Sequence, residues 1–266
     1  MGGMLEITLP DYAKEAILQF IKDFAGEKNV IVGMSGGLDS STVAKLCVMA
    51  LGKERVLGVH MPDETTPAQD TQDARDFARE LGITLREINI DEFVKLMSSK
   101  LKLEKRMSVA NLKARIRMSI LYALANENNA LVVGTSNKSE LLIGYFTKYG
   151  DGASDFAPIG DLYKTQVRLL AKEIGVPERI IAKAPTAGLL PGQQDEEEIG
   201  IKYEVLDRIL HAMELGYNVK RTAELLDIDE ELVRKAYEMH ERSRHKRVLL
   251  YIPKIGIKTI NTDWRE

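Results

Sequence analysis

The sequence predicts an α/β fold: a doubly wound parallel sheet with helices on both faces and a helical C-terminal extension. Three observations predict it. Short apolar runs of strand length alternate with longer segments of helical spacing through the first half of the chain. Glycines close several of the helical segments, where a left-handed residue is favoured. From Asp195 to about Ser243 the strand-like runs stop and helical spacing takes over. The 266 residues suit one domain, residues 1–266, with no internal repeat.

Each element follows from local pattern. Residues Asp11 to Phe24 carry Ala13, Ala16, Ile17, Phe20 and Ile21 at helical spacing. Val30 to Met34 is the first strand, and Ser40 to Leu51 the next helix, stopped by Gly52. Val56 to His60 is a second strand. Pro67 to Leu81 is a helix closed by Gly82, and Leu85 to Ile90 is a third strand. Asp91 to Leu101 and Val109 to Asn126 are helical by period, and Ala130 to Gly134 is a fourth strand. Thr165 to Ile174 is a helix ended by Gly175 and Pro177. Pro and Gly make Ala184 to Gln194 a loop, and the tail after Lys246 has no clear period.

Composition narrows the setting. Net charge is −3, which speaks against nucleic acid as a partner. No apolar segment has the length of a membrane span, and the opening Met1-Gly-Gly-Met-Leu-Glu lacks the basic and apolar regions of a signal peptide, so a cytoplasmic protein is expected. Cys47 is the single cysteine and lies in an apolar run, where a buried structural thiol is expected and a nucleophile is not.

The chemistry concentrates in Gly33-Met34-Ser35-Gly36-Gly37-Leu38-Asp39-Ser40-Ser41, between the first strand and its helix. Two glycines let the backbone turn tightly and approach a ligand. Ser35, Ser40 and Ser41 add hydroxyls beside amides that a helix start leaves unpaired, and the helix dipole favours an anion there. Asp39 would repel a phosphate, and a divalent cation between the two resolves the conflict. The loop therefore reads as a pyrophosphate cradle with Mg²⁺. It lacks the Gly-Lys-Ser/Thr of a Walker A loop and the Gly-x-Gly-x-x-Gly dinucleotide fingerprint. An ordinary capped glycine turn is the plain alternative.

This string resembles the motif of the ATP pyrophosphatase superfamily, which cleaves ATP to AMP and pyrophosphate and includes NAD, GMP and asparagine synthetases and tRNA-modifying enzymes. Further segments resemble one branch of it. They are Asn111-Leu-Lys-Ala-Arg115-Ile-Arg117; Val133-Gly-Thr135 with Glu140; Gly144-Tyr-Phe-Thr-Lys148-Tyr-Gly-Asp-Gly-Ala-Ser-Asp155 with Pro158 and Lys164; Pro185-Thr186-Ala-Gly-Leu189 with Pro191-Gly-Gln-Gln-Asp195-Glu196; and His245-Lys246. In order and along nearly the whole chain, they are similar to ammonia-dependent NAD synthetases. Where many members have Asp-His-Ala-Ala-Glu and a Trp, this chain has Ser136-Asn137-Lys138-Ser139-Glu140 and Leu190.

The resemblance implies an adenine nucleotide alpha hydrolase-like fold with the first and fourth strands adjacent. It implies ATP-dependent amidation of deamido-NAD to NAD with ammonia, through an acyl-adenylate, in a homodimer. It implies ATP binding by Gly33, Met34, Ser35, Gly36, Gly37, Leu38, Asp39, Ser40, Thr135, Lys164 and Thr186. Asp39 and Glu140 would hold Mg²⁺. Arg115, Lys148, Asp155, His245 and Lys246 would contact deamido-NAD. No residue is expected to act as a covalent nucleophile. Another adenylating member, such as a GMP synthetase core or a tRNA thiolase, and a non-catalytic adenine-nucleotide sensor are the alternatives. Arg117, His211 and His240 are expected to be structural and Asp195 to Glu198 a solvated helix start; the basic run Arg242 to Arg247 could meet nucleic acid, but the acidic balance elsewhere and the lack of interleaved aromatics argue against it.

Overall fold

The computed structural model describes residues 5–259 apart from Ala187, Pro191 and Leu249. Met1 to Met4, and Ala187 and Pro191 of the Pro-Thr motif, lie outside the described residues. Four parallel strands form one sheet: β1 (Asn29–Gly33), β2 (Val56–His60), β3 (Thr84–Glu87) and β4 (Ala130–Val133), in the order β3-β2-β1-β4. Val30 of β1 sits opposite Val56 on one side and Leu131 on the other. β1 and β4 are neighbours, as expected, so strand order reverses between them and a crevice opens beyond their carboxyl ends. A single parallel bridge from Val133 to Phe156 lengthens the sheet at the β4 edge.

Thirteen α-helices accompany the sheet among the described residues. Before β4 they are α1 (Ala13–Ala25), α2 (Leu38–Leu51), α3 (Ala68–Leu81), α4 (Asp91–Leu101) and α5 (Arg106–Glu127). After it come α6 (Lys138–Ile143), α7 (Lys164–Glu173), α8 (Glu178–Ile181), α9 (Asp195–Ile199), α10 (Tyr203–Glu214), α11 (Val219–Leu226), α12 (Glu230–Arg242) and α13 (Arg244–Arg247). The period-2 alternation of β1 divides its side chains between two cores. Val30 and Val32 pack with α1, α2, α3 and α7, while Ile31 joins Val94, Leu112 and Ile116 of α4 and α5. A third core, with Tyr203, Leu206, Ile209 and Leu210 at its centre, binds α10, α11 and α12 to Ile143 of α6.

Most boundaries shift from the sequence expectation by one to three residues, and three of the differences have a local cause. β3 stops at Glu87 and not Ile90: Ile90 N–H still bonds to the Pro62 carbonyl, but Pro62 has no N–H to return and the ladder cannot continue. α2 begins at Leu38, two residues early, because Gly37 adopts an extended cap conformation and Asp39 enters the first turn. The sequence pattern assigns no element to α6. Its six residues are too few to show a period, and it is fixed by a reciprocal capping box between Asn137 and Glu140.

Candidate active site

A cavity of about 280 Å³ opens at the β1–β4 crevice. Its walls include Gly33, Met34, Ser35, Gly37, Leu38, Asp39 and Ser40, together with Thr135, Glu140, Lys164 and Thr186. The sequence-predicted ATP set therefore converges, apart from Gly36, which lies behind the loop. The hydroxyls knit the turn: Gly37 N–H donates to Ser35 Oγ at 3.2 Å, and Ser35 N–H donates to Ser40 Oγ at 3.2 Å. Gly36 adopts φ +82°, and a Cβ there would lie 2.2 Å from the Asp70 carbonyl oxygen, so no other residue fits.

Three charges meet behind this loop. Lys164 Nζ, at the first residue of α7, lies 2.5 Å from Asp39 Oδ2 and 3.5 Å from Glu140 Oε1. Its side chain is 4% exposed and rests over the Tyr203 ring. Burial alone would lower the Lys164 pKa, but Asp39 and Glu140 outweigh it and hold the amine protonated. Burial pushes the Glu140 pKa up, Lys164 opposes this, and Asp39 and Asp195 add to it. Glu140 divides its oxygens: Oε2 accepts from Asn137 N–H at 3.3 Å, leaving Oε1 toward Lys164. Asn137, wholly buried, also donates to Asp39 Oδ1 at 3.4 Å and so links both acids.

The donor set fits Mg²⁺. Among the described residues no group of three or more His, Cys, Asp or Glu side chains could hold a metal. Two carboxylates beside the glycine loop could supply the protein share that Mg²⁺ takes when nucleotide oxygens and water complete its shell.

The deamido-NAD set divides. Arg115 Nη2 donates to the Lys148 carbonyl at 3.3 Å, Lys148 Nζ donates to the His245 carbonyl at 2.6 Å, and Lys246 Nζ donates to the carbonyls of Gly144 and Phe146 at 2.6 Å. These four residues cluster around the 144–153 loop, whose Tyr145, Gly150, Asp151 and Ala153 reach the cavity wall. Asp155 stands apart. It is exposed, and its carboxylate accepts from Val132 N–H at 2.7 Å, fastening the 154–156 segment to β4.

Other residues at or beside the wall have no substrate role in the sequence reading. Asp195 is 3% exposed and not solvated, because Asp195 N–H bonds to the Pro185 carbonyl and turns the start of α9 inward. Arg117 also has a place on the wall, where it donates to the Met61 carbonyl and to Asp63 Oδ2 at 3.0 and 3.1 Å. Asp63, fully buried, takes Lys113 on the same oxygen at 3.0 Å. Burial would raise its pKa, but Thr65, Lys113 and Arg117 outweigh it and hold the carboxyl below its ordinary range. His60 Nδ1 lies 2.7 Å from the Met34 carbonyl, which can only accept, so Nδ1 carries the proton and Nε2 is free to accept from Thr71 Oγ1 at 3.0 Å. Burial, against the Met34 bond, pushes the His60 pKa down and favours the neutral ring. His240 Nδ1 lies 2.9 Å from the Leu142 carbonyl, a structural contact. Cys47 is fully buried, which pushes its thiol up to about 12 and leaves it inert.

Comparison with known proteins gives a consistent result. The NAD synthase family model matches residues 12–249. The NH(3)-dependent NAD(+) synthetase of Archaeoglobus fulgidus is 50% identical over 237 residues, covering 88% of this chain and 92% of that protein. The solved structure of NMN synthetase from Francisella tularensis superposes with a TM-score of 0.82 at 32% identity, covering 94% of this chain and all of that one. The NH3-dependent NAD synthetase from Campylobacter jejuni superposes with a TM-score of 0.76 at 32% identity, covering 91% and 97% of the two chains.

Proposed function

Because this chain belongs to the NAD synthase family, we propose that it is an ammonia-dependent NAD synthetase, a ligase that amidates deamido-NAD to NAD at the expense of ATP. The observation that carries the reading to named residues is the meeting of Asp39, Glu140 and Lys164 behind the glycine loop. A carboxylate is a poor electrophile and must be activated first. An oxygen of the nicotinate carboxylate attacks the α-phosphorus of ATP, the bond to the bridging β-oxygen breaks, and pyrophosphate leaves with that electron pair. Ammonia then attacks the acyl carbon of the adenylate, AMP leaves, and the nitrogen loses a proton to give the amide.

The chain's own groups serve these steps by placement and charge. The amides and hydroxyls from Ser35 to Ser40 receive the β- and γ-phosphates. Thr135 and Thr186 present hydroxyls from the two other wall loops, and Lys164 brings a buried cation against the departing pyrophosphate. Asp39 and Glu140 would hold Mg²⁺, which when bound supplies positive charge to the phosphate oxygens. The apolar stretch of wall at Met34, Met61, Met118 and Leu121 suits the adenine ring. Arg115, Lys148 and Lys246 would supply the cations for deamido-NAD with His245 beside them, and Asp155 would act on this cluster through the 154–156 segment.

The C-terminal helices belong to the same catalytic domain, 1–266, since Tyr203 of α10 floors the Lys164 site. A homodimer is supported by α4, whose outer face leaves Phe93, Leu96, Met97 and Leu101 exposed. No helix among the described residues is long and apolar enough to cross a membrane, which agrees with a cytoplasmic enzyme. The test is product analysis with ATP, Mg²⁺, ammonium and either deamido-NAD or nicotinate mononucleotide. Stoichiometric AMP, pyrophosphate and NAD, with deamido-NAD preferred and glutamine unable to replace ammonium, is expected. Failure to form AMP and pyrophosphate with both acids refutes the ligase assignment; preference for the mononucleotide refutes the substrate.

A further inference from the structure

Lys183 stands at the base of the second wall loop, three residues before Thr186, and lines the cavity. Its ammonium meets three acceptors: Asp70 Oδ1 at 2.6 Å, Asp73 Oδ2 at 2.6 Å and the Gly36 carbonyl at 2.9 Å. An ammonium has three N–H donors, so all are used. The two carboxylates would satisfy the charge by themselves; the third bond reaches into the phosphate loop. Asp73 gives this anchor a rigid base, since its side chain is 2% exposed and is also held by Gln69 and Arg179.

The peptide that Lys183 grips is the one between Gly36 and Gly37. Its carbonyl accepts from Lys183 on one side, and its N–H donates to Ser35 Oγ on the other. Among residues 33–40, all described, only Gly36 stays off the cavity wall, packed against the Asp70 backbone. A peptide flanked by glycines on both sides turns with little steric resistance. Turned over, it would direct a carbonyl oxygen toward the Ser35 side, where phosphate charge is to be received, and would face its N–H toward an ammonium. We propose that Lys183 is a positioning residue for ATP: it holds the Gly36–Gly37 peptide so that the glycine loop keeps its carbonyl oxygen out of the phosphate cradle. This rests on the reading of that loop as the ATP site.

The test uses Lys183→Met and Lys183→Arg in the full chain. A guanidinium keeps the cation between Asp70 and Asp73, but its planar fork cannot point three donors along the three directions an ammonium serves. Lys183→Arg should therefore keep the melting temperature yet, like Lys183→Met, raise KM for ATP about tenfold, the effect of one charge-assisted hydrogen bond. KM for deamido-NAD should stay within about twofold. In the ligand-free protein, hydrogen exchange of the amides from 33 to 41 should quicken in both variants. Full recovery of the ATP KM in Lys183→Arg, an equal rise for both substrates, or unchanged loop exchange overturns the proposal. If wild-type protein releases no pyrophosphate, the ligase reading falls, and loop exchange alone decides the role of Lys183.

Discussion

Asp207 offers the sharpest test of how the site is held together. It lies in α10, far in sequence from the glycine loop, and is fully buried. One carboxylate oxygen accepts from Ser139 Oγ at 2.5 Å; the other accepts from Thr165 N–H at 2.9 Å and Thr165 Oγ1 at 2.8 Å. Ser139 Oγ in turn accepts from Lys164 N–H at 2.9 Å. A single side chain therefore fastens the first turns of both α6 and α7, which carry Glu140 and Lys164. Asp207→Ala leaves these donors buried without a partner. Hydrogen bonds to a charged acceptor contribute about 1.5–3 kcal/mol each and are not additive, so a loss of about 3–5 kcal/mol is expected. For a chain of this size that lowers the melting temperature by roughly 10 °C. Asp207→Asn keeps one acceptor for Thr165 and turns a donor to Ser139 Oγ, and should lose only about 1–2 kcal/mol. In the folded fraction of Asp207→Ala, Lys164 and Glu140 are no longer registered to each other, and pyrophosphate release should fall about a hundredfold. The assays are denaturant unfolding and pyrophosphate release under conditions where the variant is folded. An alanine variant within about 1 kcal/mol of wild type, releasing pyrophosphate at the wild-type rate, would refute the reasoning.

Other expectations follow from the same geometry. Asp39→Asn preserves the shape beside Lys164 but removes a metal ligand and the nearer counter-charge of a buried ammonium, so pyrophosphate release should drop by about two orders of magnitude and the melting temperature should fall, with Glu140 left to pair Lys164; an unchanged Mg²⁺ dependence would contradict the assignment. Gly36→Ala must place a methyl on the Asp70 carbonyl and adopt an unfavourable positive φ; calorimetry should show loss of ATP binding. The depressed Asp63 pKa contributes stability that is fully present above the ordinary value of 3.8 and is lost as pH falls through the lower folded value. Melting curves in a pH series should accordingly show Asp63→Asn less stable than wild type at neutral pH, with the gap closing in acid as wild type loses its ion pairs to Lys113 and Arg117.

How much of this was legible in the sequence depended on the range of the cause. The glycine loop could be read because a tight turn, a helix start and a carboxylate in the wrong place for an anion are all local demands, written within nine residues. The β1–β4 crevice followed from strand alternation together with a family strand order. The capping box of α6 is also written locally, as Asn137 followed by Glu140 three positions on, but six residues show no helical period and the pattern alone predicts no helix there. What could not be read were bonds made across the fold. Asp63 and Arg117 are 54 positions apart, Lys183 and Gly36 are 147 apart, and Asp207 and Ser139 are 68 apart. On one strand of text, Asp63, Lys183 and Asp207 are charged residues with an ordinary solvated reading, as Asp195 was given. Their burial inverts the energetics: a charge removed from water must find its partner, and for Lys183 and Asp207 that partner is a loop or helix start that carries a proposed substrate contact. The C-terminal helices are thus no appendage to the nucleotide fold. Through Asp207 and Tyr203 they complete the environment of Lys164, and a change in their packing should be felt first at the phosphates.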